Sequence, residues 1–399
     1  MKVVHVSTTD FGGAYKAAER ISASMASVGV DSTVLVRTKT KGDTIAIEVV
    51  NTPLKRIISK TKNVGNLLLS KGEVISDYFG TDISKNSYVQ DADVVFLHWV
   101  NSFVSYHNVE QLIKSGKKII WVMHDMWLVT GGCHYAFGCH KYENVCEDCP
   151  MIRGKREKGV SYRNYMSKRA MLRHSSLKLV GPSRWLVGCA KKSKITNGMG
   201  TLCIYNPIDT NIYYPRGNRS ELREKFNIPI DRRVILFGAM KAEKNSTKGL
   251  QYLKTAIHNL SPTEYVAVVF GNTEKIESDY TGVLTLEMGM IQDEQTLAEI
   301  YNCADVFVAP SIQEAFGYTV NEALSCGTPV VGFSVGGISE QIEHKRNGYL
   351  ARPQDSLDLA EGIRWCCKNI DCGTKSFNIL KNDYETIGNQ YKSICEELV

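Results

Sequence analysis

The sequence has 399 residues, more than a single hydrophobic core usually serves, and its length therefore predicts two domains. Hydrophobic residues make up 43% and charged residues 23%, a balance typical of globular proteins that excludes a disordered or membrane-embedded chain. The net charge of +6 is modest for this length and gives no reason to expect a nucleic-acid partner.

The opening residues run directly into a Val-rich strand pattern at residues 2–7. This pattern leaves no room for the charged and apolar regions of a signal peptide. No uninterrupted apolar run is long enough to cross a bilayer. We therefore expect a cytoplasmic protein, with any membrane contact being peripheral at the inner face.

A glycine pair, Gly12 and Gly13, follows the first strand and precedes an amphipathic helix. Glycine lets the backbone approach a ligand closely, although tight turns use the same residue. The segment is not the Gly-x-Gly-x-x-Gly fingerprint of dinucleotide-binding proteins, which argues against an oxidoreductase.

Two further strands are predicted in the first half, at residues 93–98 and 118–123, separated by helical stretches. This alternation predicts a parallel sheet covered by helices, whose strand ends line a ligand crevice. His124 and Asp125 follow the strand at 118–123 and therefore lie at that edge. His98 ends the other strand. A histidine at such a position either contacts a ligand or is a hydrogen-bonded structural residue.

Four cysteines, Cys133, Cys139, Cys146 and Cys149, fall within 17 residues of one loop. Their sulfurs could hold a structural zinc ion, with His134 and His140 as alternative ligands. Free or redox-active thiols are the other interpretation. Four protein ligands leave zinc no open position for chemistry, so the ion would order the loop near His124.

Basic residues crowd the segment that follows, and Glu157 is its only acidic residue. The pattern is typical of a solvated helix face, or of a surface attracted to anionic lipid or an acidic acceptor. The basic residues are Arg153, Lys155, Arg156, Lys158, Arg163, Lys168, Arg169 and Arg173.

A second α/β series follows, with strands predicted at residues 233–237, 265–270, 306–309 and 329–333. A turn-like Asn206-Pro207-Ile208-Asp209 segment places the linker within residues 180–214. We expect an N-terminal domain over 1–180 with the Cys-rich insert at 131–150, a second domain over 181–376, and a helix over 377–399 that folds back onto the first domain.

Two carboxylates, Glu314 and Glu322, flank Gly317 and Tyr318, which are predicted to open a helix. The backbone amides of a helix start suit a diphosphate, and carboxylates accept hydrogen bonds from sugar and ribose hydroxyls. Glu322 alone could equally be a favourable partner of the helix dipole. Lys248, at another predicted helix start, could add positive charge or be merely exposed.

The run continues as Ala323-Leu324-Ser325-Cys326-Gly327-Thr328-Pro329-Val330-Val331, then Gly336-Gly337-Ile338-Ser339-Glu340 and Asn347-Gly348-Tyr349-Leu350. From about Phe237 to Leu350 the chain resembles retaining glycosyltransferases of the GT-B group, family 4 or glycosyl transferases group 1, of the bacterial surface-polysaccharide type. This resemblance implies an α/β GT-B fold, with two Rossmann-like domains facing each other across a cleft.

The resemblance also implies roles for individual residues. Glu314 would face the donor sugar, Glu322 the ribose, and Lys248 with the amides near Phe316, Gly317 and Tyr318 the diphosphate. His124 would lie against the reacting sugar, and Gly12 and Gly13 beside the phosphates. Members of the family usually carry an Arg shortly before the Lys; here only Lys241 and Lys244 stand nearby, and Lys241 is the candidate.

The expected reaction is transfer of a sugar from a UDP- or GDP-sugar to a glycan or lipid-linked acceptor, with retention, in bacterial polysaccharide synthesis. No Asp-x-Asp metal motif appears, so catalysis is expected to need no cofactor. The alternatives are a nucleotide-sugar epimerase of the same fold and a non-catalytic zinc-binding scaffold.

Overall fold

The computed structural model describes residues 1–40, 42, 45–50, 52–69, 74–152, 157–173, 175–238, 245–271 and 282–399. These residues form two compact units. Unit 1 comprises Met1–Pro207 and Asn382–Val399, and unit 2 comprises Ile208–Lys381. The predicted ligand Lys241 lies outside the described residues, as do Lys244, Arg153, Lys155 and Arg156.

Both units are built from parallel strands alternating with helices. The strands are β1 (Lys2–Ser7), β2 (Asp31–Val36), β3 (Ile47–Glu48), β4 (Val94–Leu97), β5 (Lys118–Val122), β6 (Lys178–Gly181), β7 (Thr201–Cys203), β8 (Arg233–Gly238), β9 (Tyr265–Phe270), β10 (Leu284–Glu287), β11 (Val306–Ala309), β12 (Val330–Phe333) and β13 (Gly348–Ala351). The helices are α1 (Gly13–Ser27), α2 (Pro53–Leu69), α3 (Ser87–Asp91), α4 (Tyr106–Lys114), α5 (Val160–Leu172), α6 (Arg184–Lys192), α7 (Arg219–Lys225), α8 (Leu250–His258), α9 (Glu294–Cys303), α10 (Tyr318–Ser325), α11 (Ser356–Asn369) and α12 (Tyr384–Leu398).

Each unit contains one parallel sheet with helices on its faces. Within the described residues, unit 1 has the strand order β3-β2-β1-β4-β5-β6-β7 and unit 2 the order β10-β9-β8-β11-β12-β13. The order reverses between β1 and β4 in unit 1, and between β8 and β11 in unit 2. Ligands of such sheets bind at the carboxyl ends of the strands where the order reverses. The topology therefore places one candidate ligand edge in each unit.

The central strands are apolar because both of their faces are covered. Residues Val94 to Leu97 of β4 and Val306 to Ala309 of β11 are all buried. In unit 1, Phe96 and Ile120 pack with Ile387 and Tyr391 of α12. These Val- and Ile-rich runs are the reason the predicted strands coincide with observed ones.

Unit 1 continues to Pro207, beyond the boundary expected at residue 180. The extension follows from two strands that complete the first sheet. Val180 of β6 pairs with Val122 of β5, and Leu179 pairs with Thr201 of β7. The change of unit therefore falls at Pro207 and Ile208, within the predicted linker region.

The C-terminal segment returns to unit 1, where α12 packs against α1. A Cβ atom on Gly388 would lie 2.1 Å from the carbonyl oxygen of Ser24, so only glycine permits this close approach. Lys392 donates to the carbonyl of Val28 at 3.2 Å. Among the described residues, no helix combines the length and apolarity that crossing a bilayer requires.

Candidate active sites at the two sheet edges

In unit 2, Lys248 and Glu314 meet at the carboxyl edge of the sheet. The Nζ atom of Lys248 lies 2.7 Å from Oε2 of Glu314, and the two side chains are 32% and 16% exposed. Glu314 follows β11, and Lys248 ends a single 3₁₀ turn just before α8. The structure therefore joins two predicted site residues as a partly buried ion pair.

Backbone packing around Gly249 holds Lys248 in this position. Gly249 has a φ of +66°, and a Cβ atom there would lie 1.8 Å from the carbonyl oxygen of Pro310. The amide of Ile312 also donates to the carbonyl of Thr247 at 2.8 Å. The glycine of the Lys-Gly pair is thus required for contact with the loop that follows β11.

The loop that carries Glu314 rests on a second glycine pair. Cβ atoms on Gly336 and Gly337 would lie 2.0 Å from the carbonyl oxygen of Glu314 and 2.5 Å from that of Ala315. The amide of Gly337 donates to the Glu314 carbonyl at 3.0 Å. This contact explains why the Gly336-Gly337 pair accompanies Glu314 in the sequence. The pair follows α10 and β12 along the chain, yet it packs against the loop that carries Glu314.

Helix α10 begins directly after this loop, as the sequence predicts. Gly317 is its N-cap residue with a φ of +92°, Tyr318 is its first residue, and no described side chain caps its N terminus. An N terminus of this kind presents backbone amides and a partial positive charge to an anion. Phe316, Gly317 and Tyr318 therefore lie where a diphosphate could meet the helix start.

Gln341 supports the same loop and is absent from the sequence-based prediction. Its buried Nε2 donates to the carbonyl oxygen of Phe316 at 2.6 Å. Gln341 comes directly after the Gly-Gly-x-x-Glu run, which is the one hint of its role in the sequence. A single glutamine forms no spacing pattern from which that role could be predicted.

Glu322 lies inside unit 2, with only 1% of its surface exposed. The hydroxyl of Tyr301 donates to Oε2 of Glu322 at 3.0 Å. Burial and the neighbouring Glu322 raise the pKa of Tyr301 well above its ordinary value, so the hydroxyl keeps its proton. The role of Glu322 as a ribose ligand stays a prediction.

In unit 1, three histidines form a continuous chain across adjacent strands. His5 Nδ1 lies 2.9 Å from His98 Nε2, and His98 Nδ1 lies 2.9 Å from His124 Nε2. The three residues come from β1 and from the ends of β4 and β5, which are neighbours in the sheet. His124 and His98 were predicted at this edge, whereas His5 was not.

All three histidines of this hydrogen-bonded row are neutral near pH 7. Burial lowers the pKa of His5 to about 3. Burial lowers the pKa of His124 to about 4, although the neighbouring Asp125 opposes the change. Burial and the two flanking histidines together lower the pKa of His98 well below its ordinary value. The edge of unit 1 is therefore uncharged at this point.

The donor and acceptor of each hydrogen bond among these three histidines follow from the nitrogen at the end of the row that has no partner among the described residues. Three neutral imidazoles carry three N–H groups, and the two contacts use two of them. The third hydrogen belongs either to Nε2 of His5, which is buried with no hydrogen-bond partner, or to Nδ1 of the partly exposed His124. Because a buried N–H without an acceptor is costly, we place it on His124, which then presents an N–H donor at the sheet edge.

The glycine pair lies between β1 and the first turn of α1. Gly12 is the N-cap residue of α1 with a φ of +86°, and apart from adjoining residues no described atom lies within 4 Å of a Cβ built on Gly12 or Gly13. The backbone is therefore open at the start of α1. Gly12, Gly13 and His124 lie in unit 1, and the other predicted donor ligands that the structure describes lie in unit 2.

The four cysteines line one small cavity of about 20 Å³ in unit 1. A hydrogen bond from Cys133 lowers the pKa of Cys149 to about 6, and the amide of Gly131 donates to Sγ of Cys146 at 3.1 Å. Within the described part of the chain, no three or more Cys, His, Asp or Glu side chains are arranged to hold a metal ion. The zinc site stays a prediction.

The alternative ligands His134 and His140 have carboxylate partners. His134 Nδ1 lies 2.6 Å from Oδ2 of Asp125, and His140 Nδ1 lies 3.0 Å from Glu143. Burial raises the pKa of Asp125, but His134 and further hydrogen bonds lower it below its ordinary value. Asp125, predicted at the sheet edge, thus anchors the start of the Cys-rich loop.

Lys168 does not belong to the solvated basic face expected over residues 153–173. It is fully buried, and its ammonium group donates to the carbonyls of Trp127 and Thr130 and lies 3.5 Å above the ring centroid of Trp127. Burial lowers its pKa to about 7. The residue holds the loop that leads to the cysteines, so the α5 surface is less basic than its sequence suggests.

Comparison with known proteins identifies relatives of the second half. Residues 231–369 match the family described as "Glycosyl transferases group 1". An uncharacterized glycosyltransferase of Methanocaldococcus jannaschii is 30% identical over 40% of this chain and 42% of its own length. The sulfoquinovosyl transferase of Arabidopsis thaliana is 31% identical over 39% of this chain and 31% of its own length. The matched region is less than half of each of these relatives.

Solved structures match along the entire chain. Sucrose-phosphate synthase from Thermosynechococcus elongatus has a TM-score of 0.70 and 17% identity, covering 100% of this chain and 98% of its own. Anabaena HepE in complex with UDP-glucose has a TM-score of 0.67 and 17% identity, covering 100% of both chains. The predicted α/β architecture of two Rossmann-like units is thus confirmed.

Proposed function

We propose that this protein is a glycosyltransferase that takes a sugar from a nucleotide-sugar donor bound to unit 2. The observation that carries the proposal is the Lys248–Glu314 pair at the carboxyl edge of β11, beside the uncapped start of α10. A cation and helix-start amides suit a diphosphate, and a carboxylate suits sugar hydroxyls. The group 1 match over residues 231–369 includes all of these residues.

The ion pair gives Glu314 and Lys248 separable tasks. In the ligand-free protein each neutralises the other at 2.7 Å. A bound donor would place its negative diphosphate beside Lys248 and release Glu314 to accept hydrogen bonds from the sugar. Lys248 and the α10 amides then stabilise the charge that grows on the diphosphate as it leaves.

We infer a retaining reaction, in keeping with the resemblance to retaining enzymes. The bond between the anomeric carbon and the diphosphate oxygen breaks, and a bond from that carbon to the acceptor oxygen forms on the same face. The proton of the acceptor hydroxyl passes to the leaving phosphate. The Nδ1–H group of His124 donates a hydrogen bond to a substrate oxygen, and His124 keeps its proton and stays neutral.

We further propose a glycan or lipid-linked acceptor in bacterial polysaccharide synthesis, and a cytoplasmic enzyme in peripheral contact with anionic membrane. The resemblance to surface-polysaccharide transferases supports this assignment. UDP- and GDP-sugars are the donors to test, since Anabaena HepE was solved with UDP-glucose.

A calorimetric binding screen with UDP, GDP, ADP and NAD tests the donor site. We expect one nucleoside diphosphate to bind the wild type, and to bind Lys248→Ala and Glu322→Ala more weakly. The exposed Lys368→Ala in α11 is a matched control that leaves binding unchanged. Preference for NAD, or equal binding by all variants, would contradict the proposal.

Product analysis then separates transfer from epimerisation. A transferase consumes the donor only when an acceptor saccharide is present and adds the mass of one sugar to that acceptor. Consumption of the donor with release of an epimerised free sugar would instead favour the epimerase. Binding without turnover for any acceptor would favour the non-catalytic scaffold.

We also propose that Cys133, Cys139, Cys146 and Cys149 hold a structural zinc ion. The fit rests on four thiols around one cavity, beside the buried cation of Lys168. Thiolates are the form that binds zinc. The hydrogen bond to Cys149 and burial raise the pKa of Cys133, and burial raises the pKa of Cys146 to about 12, whereas Lys168 lowers both. Elemental analysis should find about one zinc per chain in the wild type and none in Cys146→Ser with Cys149→Ser. Zinc-free wild type would leave the alternative of free thiols.

A further inference from the structure

Helix α2 turns its apolar side chains outward and its polar side chains toward the protein. Its two buried residues are Ser59 and Asn66. Six of its seven large apolar residues are between 44% and 77% exposed, and Leu69 at its end is half-buried. The exposed set is Leu54, Ile57, Ile58, Val64, Leu67 and Leu68. A helix of a globular protein normally has the opposite arrangement.

Specific hydrogen bonds hold α2 in this orientation. Asn66 donates to the carbonyl of Phe79 at 2.9 Å and accepts from the amide of Phe79 at 3.2 Å. Arg37 donates to Oδ1 of Asn63 at 2.9 Å, and Lys62 donates to the carbonyl of Gly80. Lys62, Asn63 and Asn66 lie three or four residues apart and so share one face of the helix, together with the buried Ser59. The opposite, apolar face is therefore turned to the exterior.

The charge of α2 indicates what kind of partner covers this face. The segment Pro53–Leu69 contains no Asp or Glu and carries Lys55, Arg56, Lys60 and Lys62. Lys55 and Lys60 are exposed, whereas Arg56 pairs with Glu48. Lys60 lies four residues before Val64 on the outward face, and within the described residues no carboxylate pairs with it. An apolar face with basic and no acidic residues is the composition of helices that lie in the headgroup region of anionic membranes.

A second copy of the chain fits this face less well. Pairing two α2 helices would bring their lysines together without any carboxylate from either helix to neutralise them. An anionic lipid surface supplies that neutralisation and also accepts the apolar side chains. At 17 residues the helix is about 25 Å long, enough to lie along a membrane surface.

We propose that α2 is the membrane-binding element of this protein and that it lies flat on an anionic phospholipid bilayer. Leu54, Ile57, Val64 and Leu68 enter the acyl boundary, and Lys60 contacts a lipid phosphate. The assignment deepens the proposed function by giving its membrane contact a site. This site is separate from the basic segment 153–173, where Lys168 is buried.

Vesicle flotation tests this proposal without any sugar transfer. We expect the wild type to float with vesicles of phosphatidylcholine and phosphatidylglycerol, and not with phosphatidylcholine alone. Leu54→Gln with Leu68→Gln should weaken partitioning at least about tenfold, because two apolar side chains no longer leave water. Lys60→Gln should weaken it about fivefold.

The matched control is Leu357→Gln, which changes a leucine that is 65% exposed in unit 2. It should float like the wild type, and near-ultraviolet circular dichroism checks that every variant is folded. Equal flotation of the α2 variants and the control would overturn the proposal. So would a dimer in sedimentation experiments that the leucine variant abolishes, since the face would then belong to a second copy. UDP and GDP binding, measured on the same variants, separates failure of this proposal from failure of the transferase assignment.

Discussion

The carboxyl edges of the two sheets occupy equivalent topological positions and carry different chemistry. In unit 2 the edge holds a cation and a carboxylate 2.7 Å apart, next to a helix N terminus. In unit 1 it holds three neutral histidines joined end to end. The same arrangement of strands thus produces a charged site suited to a diphosphate and a row of three uncharged histidines that offers one N–H donor. The fold determines where each site lies, and the side chains determine its chemistry.

The largest effect should come from removing the cation of the unit 2 edge. Lys248→Ala is expected to lower kcat/KM for sugar transfer roughly 100- to 1,000-fold, because the leaving diphosphate loses a positioned charge. Steady-state kinetics with the donor found in the binding screen measures this. Lys368→Ala is the control, and an equal loss in both variants would show that the ion pair has no special role.

The next effect comes from the close backbone packing at Gly249, which positions Lys248 at the unit 2 edge. Gly249→Ala should lower the free energy of unfolding by about 3 kcal/mol or more, because its Cβ meets the Pro310 carbonyl in a left-handed backbone. Gly217→Ala has the same strain, at a φ of +73°, but open space around its Cβ. It should cost only about 1 kcal/mol. Urea unfolding measures the free energy of unfolding of both variants. Equal losses in the two would mean that the close approach of Gly249 to the Pro310 carbonyl contributes nothing.

In unit 1 the comparable test breaks the histidine chain at its centre. His98→Phe removes the partner of both His5 and His124 and should cost about 1–3 kcal/mol of unfolding free energy. The same substitution at the exposed His107 is the control. In nitrogen NMR of the wild type we expect His124 to carry its hydrogen on Nδ1. A hydrogen on Nε2 of His124 would reverse the inferred direction of the chain.

The last comparison concerns how stability depends on pH. Because burial lowers the pKa of His5 to about 3 from 6.5, the unfolded chain binds a proton in this interval that the folded chain does not. This contribution to stability is therefore present above pH 6.5 and is lost as the pH falls toward 3. His5→Phe should make the pH dependence shallower by about 1.4 kcal/mol per pH unit in that interval.

Urea unfolding at several pH values measures the slope, with His107→Phe as the control. An unchanged slope in His5→Phe would show that His5 titrates in the folded protein as it does in the unfolded chain.

The amino-acid sequence determined the strands and the segment from Glu314 to Tyr318, because both depend on neighbouring residues. Predicted strands at 2–7, 265–270 and 306–309 match β1, β9 and β11 to the residue, since buried parallel strands are continuous apolar runs. Glu314, Gly317 and Tyr318 lie on one short segment at the start of α10, so their order along the chain already places them together. Lys248 is 66 residues from Glu314, and only the tertiary structure joins the two.

Only the tertiary structure decided the features that join distant segments. His5 and His98 are 93 residues apart, and their contact depends on β1 pairing with β4. The boundary at Pro207 depends on β6 and β7 pairing with the first sheet. The outward apolar face of α2 depends on Asn66 and Phe79. Helical periodicity predicts that a helix has two faces, but the partner that each face meets is set by long-range packing.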